Sequence, residues 1–387
     1  MGAPKAATAQ LPQEKERAQV QEFHCLEIFR IPRALGATAR GVRDDAGLKR
    51  AAKLVVDEQY VVHSKGPLAD GALAARSPIT WAGEAAVVLV MTVVMGGPLV
   101  WSFALPAYLA VAGSWLQVGL YVAASAVLAY HPLPVAYDEL YSSWFVEQMY
   151  RYFSYRMLWA DDCRDEAMRH SPWLGAGVPH GAMPFANVLS VPAVNSFMYG
   201  DAEFVGAPAS VVFRTPFLRY LTLFKSCTVD GPTLTREMAK GNNVGLVGDG
   251  IAGIFQCSDQ EEVVALKSRK GLAKLALRTG RPVLPCYSMG NTSAFSVWYD
   301  SFGVMEWLSR KAQASIFVYW GKFGLPIPKR VNITMIIGNL VKVDKVVADP
   351  SEAEVDAVHQ RILQNIEDAF NLHKGALGYG HKTMRFV

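Results

Sequence analysis

Residues 178–185, Val-Pro-His-Gly-Ala-Met-Pro-Phe, hold a histidine between a proline and a glycine. Pro179 fixes φ and Gly181 has no side chain, so the imidazole of His180 sits on a tightly specified turn open to an approaching substrate. Imidazole is the usual general base near neutral pH, and this one could take the proton of an attacking hydroxyl. The plainer alternative is a turn histidine between a strand and a helix.

Two further segments could take part. Gly248, Gly250 and Gly253 fit a GxGxxG spacing after the apolar run Val244–Val247. A dinucleotide fingerprint also needs an immediate helix and an acidic residue about 20 positions on, at the end of the next strand. Here Cys257-Ser-Asp-Gln-Glu261 follows, and the run Pro282–Tyr287 leads into Ser288-Met289-Gly290 without an acid. The expectation is a glycine-rich turn that brings Asp249 close to the reacting centre. There it either supports His180 or only satisfies the N–H groups of its own turn.

Lys267-Ser268-Arg269-Lys270-Gly271 precedes an apolar helical stretch. Cations in a first helical turn oppose the dipole at roughly 0.3–1 kcal/mol each, which suits a solvated charge run. Arg269 and Lys270 beside the free N–H groups of a helix start at Gly271 would equally make a phosphate site, of a kind that fits coenzyme A. No HxxxH or HExxH spacing and no CxxC pair points to a metal, and no GxSxG elbow to a serine hydrolase.

What positions these residues divides into two parts. From Ala85 to Tyr137 the chain has no Asp, Glu, Lys or Arg, and only 19% of the whole chain is charged, against about 25% in soluble proteins. A helix needs about 20 residues to cross the hydrocarbon core, so this block suffices for two arms. Breaks at Gly96-Gly97-Pro98 or Pro106 give arms Trp81–Leu105 and Ala107–Tyr130, a hairpin that crosses or dips into a bilayer; the alternative is a buried core pair. His131 would mark where the second arm leaves. Lys49, Arg50, Lys53, Lys65 and Arg76 favour the cytosolic side for what precedes the hairpin. An even number of arms returns the rest to that side, so Asn291-Thr-Ser293 and Asn332-Ile-Thr334 should carry no glycan. The net charge of +4 gives no case for nucleic acid. Cys25, Cys163, Cys227, Cys257 and Cys286 are scattered and read as reduced core residues.

Beyond Asp138, short apolar runs alternate with helical stretches. Trp173–Val178, Val244–Val247, Pro282–Tyr287 and Val331–Ile337 read as strands. Ser268–Thr279 reads as a helix capped by Ser268, and Ser351–Phe370 as a helix opened by the capping box Ser351-Glu352-Ala353-Glu354. Such alternation argues an α/β fold. The domains expected are a disordered tail 1–20, a cytosolic segment 21–80, a membrane hairpin 81–130 and a catalytic domain 138–387.

In this order the pieces resemble the type-2 diacylglycerol acyltransferase family, with its monoacylglycerol and wax-alcohol relatives. Arg151-Tyr-Phe resembles the segment after the family's hairpin. Val178-Pro179-His180-Gly181 is similar to the family's His-Pro-His-Gly, or Glu-Pro-His-Ser in plants. Thr215-Pro-Phe-Leu-Arg219 and the block Leu266-Lys-Ser-Arg269-Lys270-Gly271-Leu-Ala-Lys-Leu-Ala-Leu, followed by Pro282-Val-Leu-Pro-Cys-Tyr-Ser-Met-Gly290, carry the rest. Two departures stand out: Val178 replaces the first histidine, and Gly253 stands about where the family has a glutamate, leaving Asp249 as the nearest replacement.

The resemblance implies an acyltransferase-like mixed sheet flanked by helices behind the hairpin, at the endoplasmic reticulum membrane or a lipid-droplet surface. It implies transfer of a fatty acyl group from acyl-CoA, a co-substrate and not a cofactor, to diacylglycerol, giving triacylglycerol. His180 would be the base and Asp249 its carboxylate, with Pro179, Gly181, Arg269, Lys270 and Gly271 binding substrate. Monoacylglycerol, wax alcohol or phytol are alternative acceptors, and a catalytically silent lipid-binding relative is a different class. A homo-oligomer is left open.

Overall fold

In a computed structural model, residues 68–387 are described apart from 134–135, 161–162, 198–201, 257–260, 299 and 313–314, together with strands at 23–27 and 61–64. The expected tail 1–20 and most of segment 21–80, with Cys25, His63 and Cys257 as side chains, lie outside the described residues. Cys163, Cys227 and Cys286 are reduced.

Strands β1 (Phe23–Glu27) and β2 (Val61–Ser64) precede two long helices, α1 (Trp81–Ala112) and α2 (Trp115–Tyr130). There follow α3 (Trp144–Tyr152), β3 (Arg156–Ala160), α4 (Cys163–Arg169), β4 (Leu174–Val178), α5 (Phe185–Phe197) and β5 (Phe204–Gly206). Next come α6 (Gly231–Ala239), β6 (Asn243–Val247), α7 (Gly250–Ile254), β7 (Glu261–Val264), α8 (Gly271–Thr279) and β8 (Val283–Met289). The chain closes with β9 (Ser296–Val297), α9 (Val304–Ala312), β10 (Tyr319–Trp320), β11 (Thr334–Ile337), α10 (Glu352–His373) and β12 (Thr383–Phe386).

Eight strands form one sheet in the order β2-β1-β3-β11-β8-β4-β6-β5. β4, β6, β5 and β8 run parallel, whereas β11 is antiparallel to β8 and parallel to β3. Alternating side chains divide two cores, as the period of two requires. Leu158, Leu174, Ala176, Val178, Tyr287 and Ile336 face one side, packed on by α8 and α10. Met157, Trp159, Leu284, Cys286, Met335 and Ile337 face the other, with α3, α5 and the start of α1. The α/β class and the mixed sheet between helices are as the sequence implies. All four anticipated strands form, and α10 carries the Ser351–Glu354 capping box.

The apolar block is a helical hairpin, but it turns elsewhere than expected. α1 runs unbroken through Gly96-Gly97-Pro98 and Pro106, and the turn falls at Gly113-Ser114. Each proline deprives the residue four before it, Val94 or Ser102, of a helical N–H partner. Both of those residues lie in wider π-helical segments, Thr92–Gly96 and Val100–Ala104, which take up the ring without ending the helix. The second arm starts at Ser114, whose hydroxyl accepts from the Gln117 N–H while the Gln117 side chain accepts from the Ser114 N–H.

The arms touch through Trp101, whose Nε1 donates to Ser125 Oγ and whose carbonyl accepts from Tyr121 Oη. Gly83, Val87, Met91 and Met95, four apart, press α1 against the domain. Glu84 pairs with Lys322 and Arg330. At the far end, buried Arg219 donates to the carbonyls of Leu128 and His131, the last turn of α2. A cation on those carbonyls satisfies acceptors that the helix itself leaves open. Both ends of the hairpin are thus tied to the same body.

Candidate active site

Strand β4 ends at Val178, and Pro179-His180-Gly181 turns the chain into α5. Gly181 has φ +62°, and a Cβ there would lie 3.0 Å from the Asn291 amide. Only glycine takes that conformation at no cost in so tight a space. His180 is half-buried. Its Nδ1 lies 2.7 Å from the Gly181 carbonyl. A carbonyl can only accept, so Nδ1 carries the proton and Nε2 keeps a free lone pair. Burial pushes the imidazole pKa down, opposed by that carbonyl. The ring is therefore neutral at physiological pH, which is the form a base needs.

Asp249 is fully buried and does reach His180, but at the main chain: its Oδ2 accepts the His180 N–H at 3.0 Å. The carboxylate does not meet the ring in this arrangement. Its other oxygen, Oδ1, has no partner among the described residues. Burial pushes the Asp249 pKa up to about 7, with the His180 N–H and Arg269 pulling the other way. The departure at Gly253 has a steric counterpart. A Cβ on Gly253 would stand 1.9 Å from Asp249 Oδ2, so the carboxylate occupies the space a side chain at 253 would need.

Asn291 is the residue that sequence reading passed over. Buried at the end of β8, it donates to the carbonyls of His180 at 2.7 Å and Met183 at 3.2 Å, and accepts from the Ala186 N–H at 3.1 Å. One side chain thus holds both ends of the histidine turn. Its sequence signal was an N-glycosylation pattern. Asn332, in the second such pattern, donates to the Ala74 carbonyl.

The basic block separates. Helix α8 begins at Gly271 with Lys270 before it, so Ser268 is not its cap. Arg269 turns toward the site: its guanidinium lies 3.0 Å from where a Cβ on Gly250 would be, beside Asp249. Lys270 turns outward to Asp356 on α10. The main chain just before them is steadied by buried His359, whose Nε2 meets the Lys267 carbonyl at 3.1 Å. α7, after Gly248-Asp249, has only five residues, too short for the helix a dinucleotide fingerprint needs. Glu262 is buried against Lys382 and Tyr287, away from the histidine turn's hydrogen bonds, and Glu261 pairs with Arg385.

Two apolar cavities flank α5. One lies over the sheet, lined by Trp173, Phe204, Cys286 and Ile337, where Gly175, Gly177 and Gly245 leave room. The other lies between α1, α3 and the segment 217–224. Pro184 and Asn187 line the first, Met183 and Phe185 the second, so both adjoin the run of chain that follows His180.

Residues 108–386 match the family model described as diacylglycerol acyltransferase. Diacylglycerol O-acyltransferase 2 of Xenopus tropicalis is 29% identical over 188 residues, 44% of this chain and 52% of that protein. The Homo sapiens protein of the same name is 28% identical over 182 residues, covering 43% and 46%. Diacylglycerol O-acyltransferase 2-like protein 6 of Bos taurus is 25% identical, covering 55% and 69%. The chain thus spans about half the length of the first two relatives. Among solved structures, the 1-acyl-sn-glycerophosphate acyltransferase PlsC from Thermotoga maritima aligns with a TM-score of 0.31 at 10% identity, covering 74% of this chain and 97% of that one. With a family model matched over well more than half its length, the chain belongs to the diacylglycerol acyltransferase family.

Proposed function

We propose that this protein transfers a fatty acyl group from acyl-CoA to the free hydroxyl of diacylglycerol, forming triacylglycerol at a membrane surface. The observation that carries the reading is His180, neutral, with Nε2 unpartnered among the described residues, on a turn clamped by Asn291 and Asp249 beside two largely apolar cavities. Nε2 takes the proton of the lipid hydroxyl as its oxygen attacks the thioester carbonyl. The C–S bond then breaks as the tetrahedral intermediate collapses, and the proton passes to the departing CoA sulfur. Main-chain N–H groups near Gly181 hold the oxyanion. The thioester is already activated, so a direct displacement needs no covalent enzyme intermediate.

Membrane contact comes from the hairpin. α1 has 32 residues and is long and apolar enough to cross a membrane, and its far half with α2 exposes Val100, Phe103, Tyr108, Val111, Leu116, Leu120 and Val127. α2 has 16 residues, roughly 24 Å at 1.5 Å per residue, short of the ~30 Å hydrocarbon core. We read the hairpin as dipping into the bilayer from the side where both its ends are anchored, the cytosolic side of the endoplasmic reticulum. The test of the whole reading is purified protein in lipid bilayers with oleoyl-CoA and diacylglycerol. Triacylglycerol and free CoA should appear in equal amounts; CoA release without a lipid ester would refute it.

Arg269 then contacts the phosphates of coenzyme A, and Lys270, already paired, matters less. Arg269→Gln should raise KM for acyl-CoA several-fold with a smaller change in kcat, because phosphate contacts are shared by ground and transition states. Lys270→Gln should change KM by less than Arg269→Gln does. Equal effects would return both to a solvated face.

Asp249 positions the turn. Asp249→Asn keeps an acceptor for the His180 N–H and should retain most activity, whereas Asp249→Ala strands that buried N–H at a cost of about 1–3 kcal/mol. The linkage has a definite sign. A carboxyl near 4 when unfolded and at about 7 when folded binds its proton better in the native state. Stability is fully present below pH 4 and falls, by on the order of 4 kcal/mol, as pH rises to 7. Melting of Asp249→Asn should therefore gain on wild type across that window. A constant gap would show that the carboxyl is already charged.

A further inference from the structure

We propose that the cavity between α1, α3 and residues 217–224 is the binding site for the acyl chains of the lipid acceptor, held apart from the acyl-CoA chain by a wall of Val188, Leu221 and Phe224. This rests on the acyltransferase reading and assigns the acceptor's place within it.

Its lining comes from four directions. Val90, Met91, Val94 and Met95 come from α1, Phe145, Val146 and Met149 from α3, and Met183, Phe185 and Leu189 from the histidine turn and α5. Segment 217–224 closes the fourth side. The cavity has about 870 Å³ of empty volume, counting its open mouth. None of its lining residues is charged, so a phosphate-bearing donor finds nothing to answer its charge there. A neutral lipid, whose polar groups are a hydroxyl and uncharged esters, fits instead.

Four methionines line it, Met91, Met95, Met149 and Met183. Their unbranched, polarizable chains adapt to tails of varied length and unsaturation. The α1 wall continues directly into the exposed apolar half of the hairpin, so a lipid can pass from bilayer to cavity without crossing water. Tyr319 Oη, bonded to the Met95 carbonyl at 2.8 Å, holds that wall against the body, and Arg219 fixes segment 217–224 to the end of α2. Met183 lies three residues after His180, so the cavity adjoins the histidine turn.

The cavity over the sheet differs. Asn187, Ser190, Lys225 and Ser226 are among its lining residues, and it offers space for the donor's chain. Val188, Leu221 and Phe224 line both cavities. Two chains on either side of that wall would bring thioester and hydroxyl together at the turn.

The test uses wild-type protein in phospholipid nanodiscs with two photoreactive probes, a diacylglycerol and an acyl-CoA, each carrying a diazirine in its acyl chain. The diacylglycerol probe should label peptides containing Val90–Met95, Phe145–Met149 or Met183, and excess unlabelled diacylglycerol should compete while a non-transferable thioether analogue of acyl-CoA does not. Labelling of β4, β6 or β8 by that probe, loss of label with the thioether analogue, or no competable label at all would overturn the assignment. A second arm replaces Val94 with Trp, which fills the cavity from the α1 side. KM for diacylglycerol should rise at least tenfold with KM for oleoyl-CoA within twofold; the reverse pattern would also overturn it. Competable labelling in a protein that esterifies no lipid alcohol would leave this site standing and defeat the acyltransferase reading alone.

Discussion

Alanine at position 180 should lower acyl transfer by roughly 10²–10⁴, the usual contribution of a general base, while the protein melts at an unchanged temperature. Among the described residues the imidazole bonds only to the carbonyl of its neighbour. The backbone of the turn is held independently, by Asn291 at two carbonyls and by Asp249 at the His180 N–H, so removing the ring takes the base and leaves its mount. The pH dependence is a companion result. Burial lowers the His180 pKa, so the neutral, active form persists below the ordinary histidine range. The acid limb of kcat in the wild type should accordingly fall below about pH 6.5. Near-normal turnover in His180→Ala, or an acid limb well above that value, would remove His180 from the chemistry.

Glu262→Ala should cost about 3–5 kcal/mol of stability, the penalty for breaking a buried ion pair from one side. Lys382 and Glu262 are both almost completely buried, with Nζ and Oε1 2.6 Å apart. The Tyr287 hydroxyl donates to the second carboxylate oxygen at 2.7 Å, and burial keeps that phenol protonated. This clamp joins the central strand β8 to β7 and to β12, which pair in parallel near the end of the chain. Without Glu262, an ammonium and a phenol are left unanswered in the core, and the melting temperature should fall by on the order of 10 °C. Replacing Glu262 and Lys382 together with Met should recover most of the loss. A single variant as stable as wild type would mean that the pair is solvated.

How much of this could be read beforehand depends on how local each signal is. The histidine turn, the four strands and the capping box of α10 are written in neighbouring residues, and they form as read. The hairpin's turn was misplaced because Gly96-Gly97-Pro98 and Pro106 are strong breakers in isolation. Two π-helical segments absorb them, and the real turn was signalled by Ser114-Trp-Leu-Gln117, a capping box hidden in apolar sequence. Asp249 meets the His180 main chain, and whether a carboxylate meets ring or main chain depends on the path of two loops 69 residues apart. Arg269 and Lys270 are adjacent in sequence and part company in space because Asp356, on α10, holds only the second. Asn291 could be found only from the fold, since its partners lie more than 100 residues away.

The central claim is tested most directly in yeast cells lacking their own neutral-lipid synthesis, expressing either the wild-type protein or His180→Ala at matched levels, with total lipids extracted and resolved. Wild-type cells should accumulate triacylglycerol and the variant none. Wax ester in its place would change the acceptor; no neutral lipid from the wild type, or as much from the variant, would contradict acyl transfer by His180.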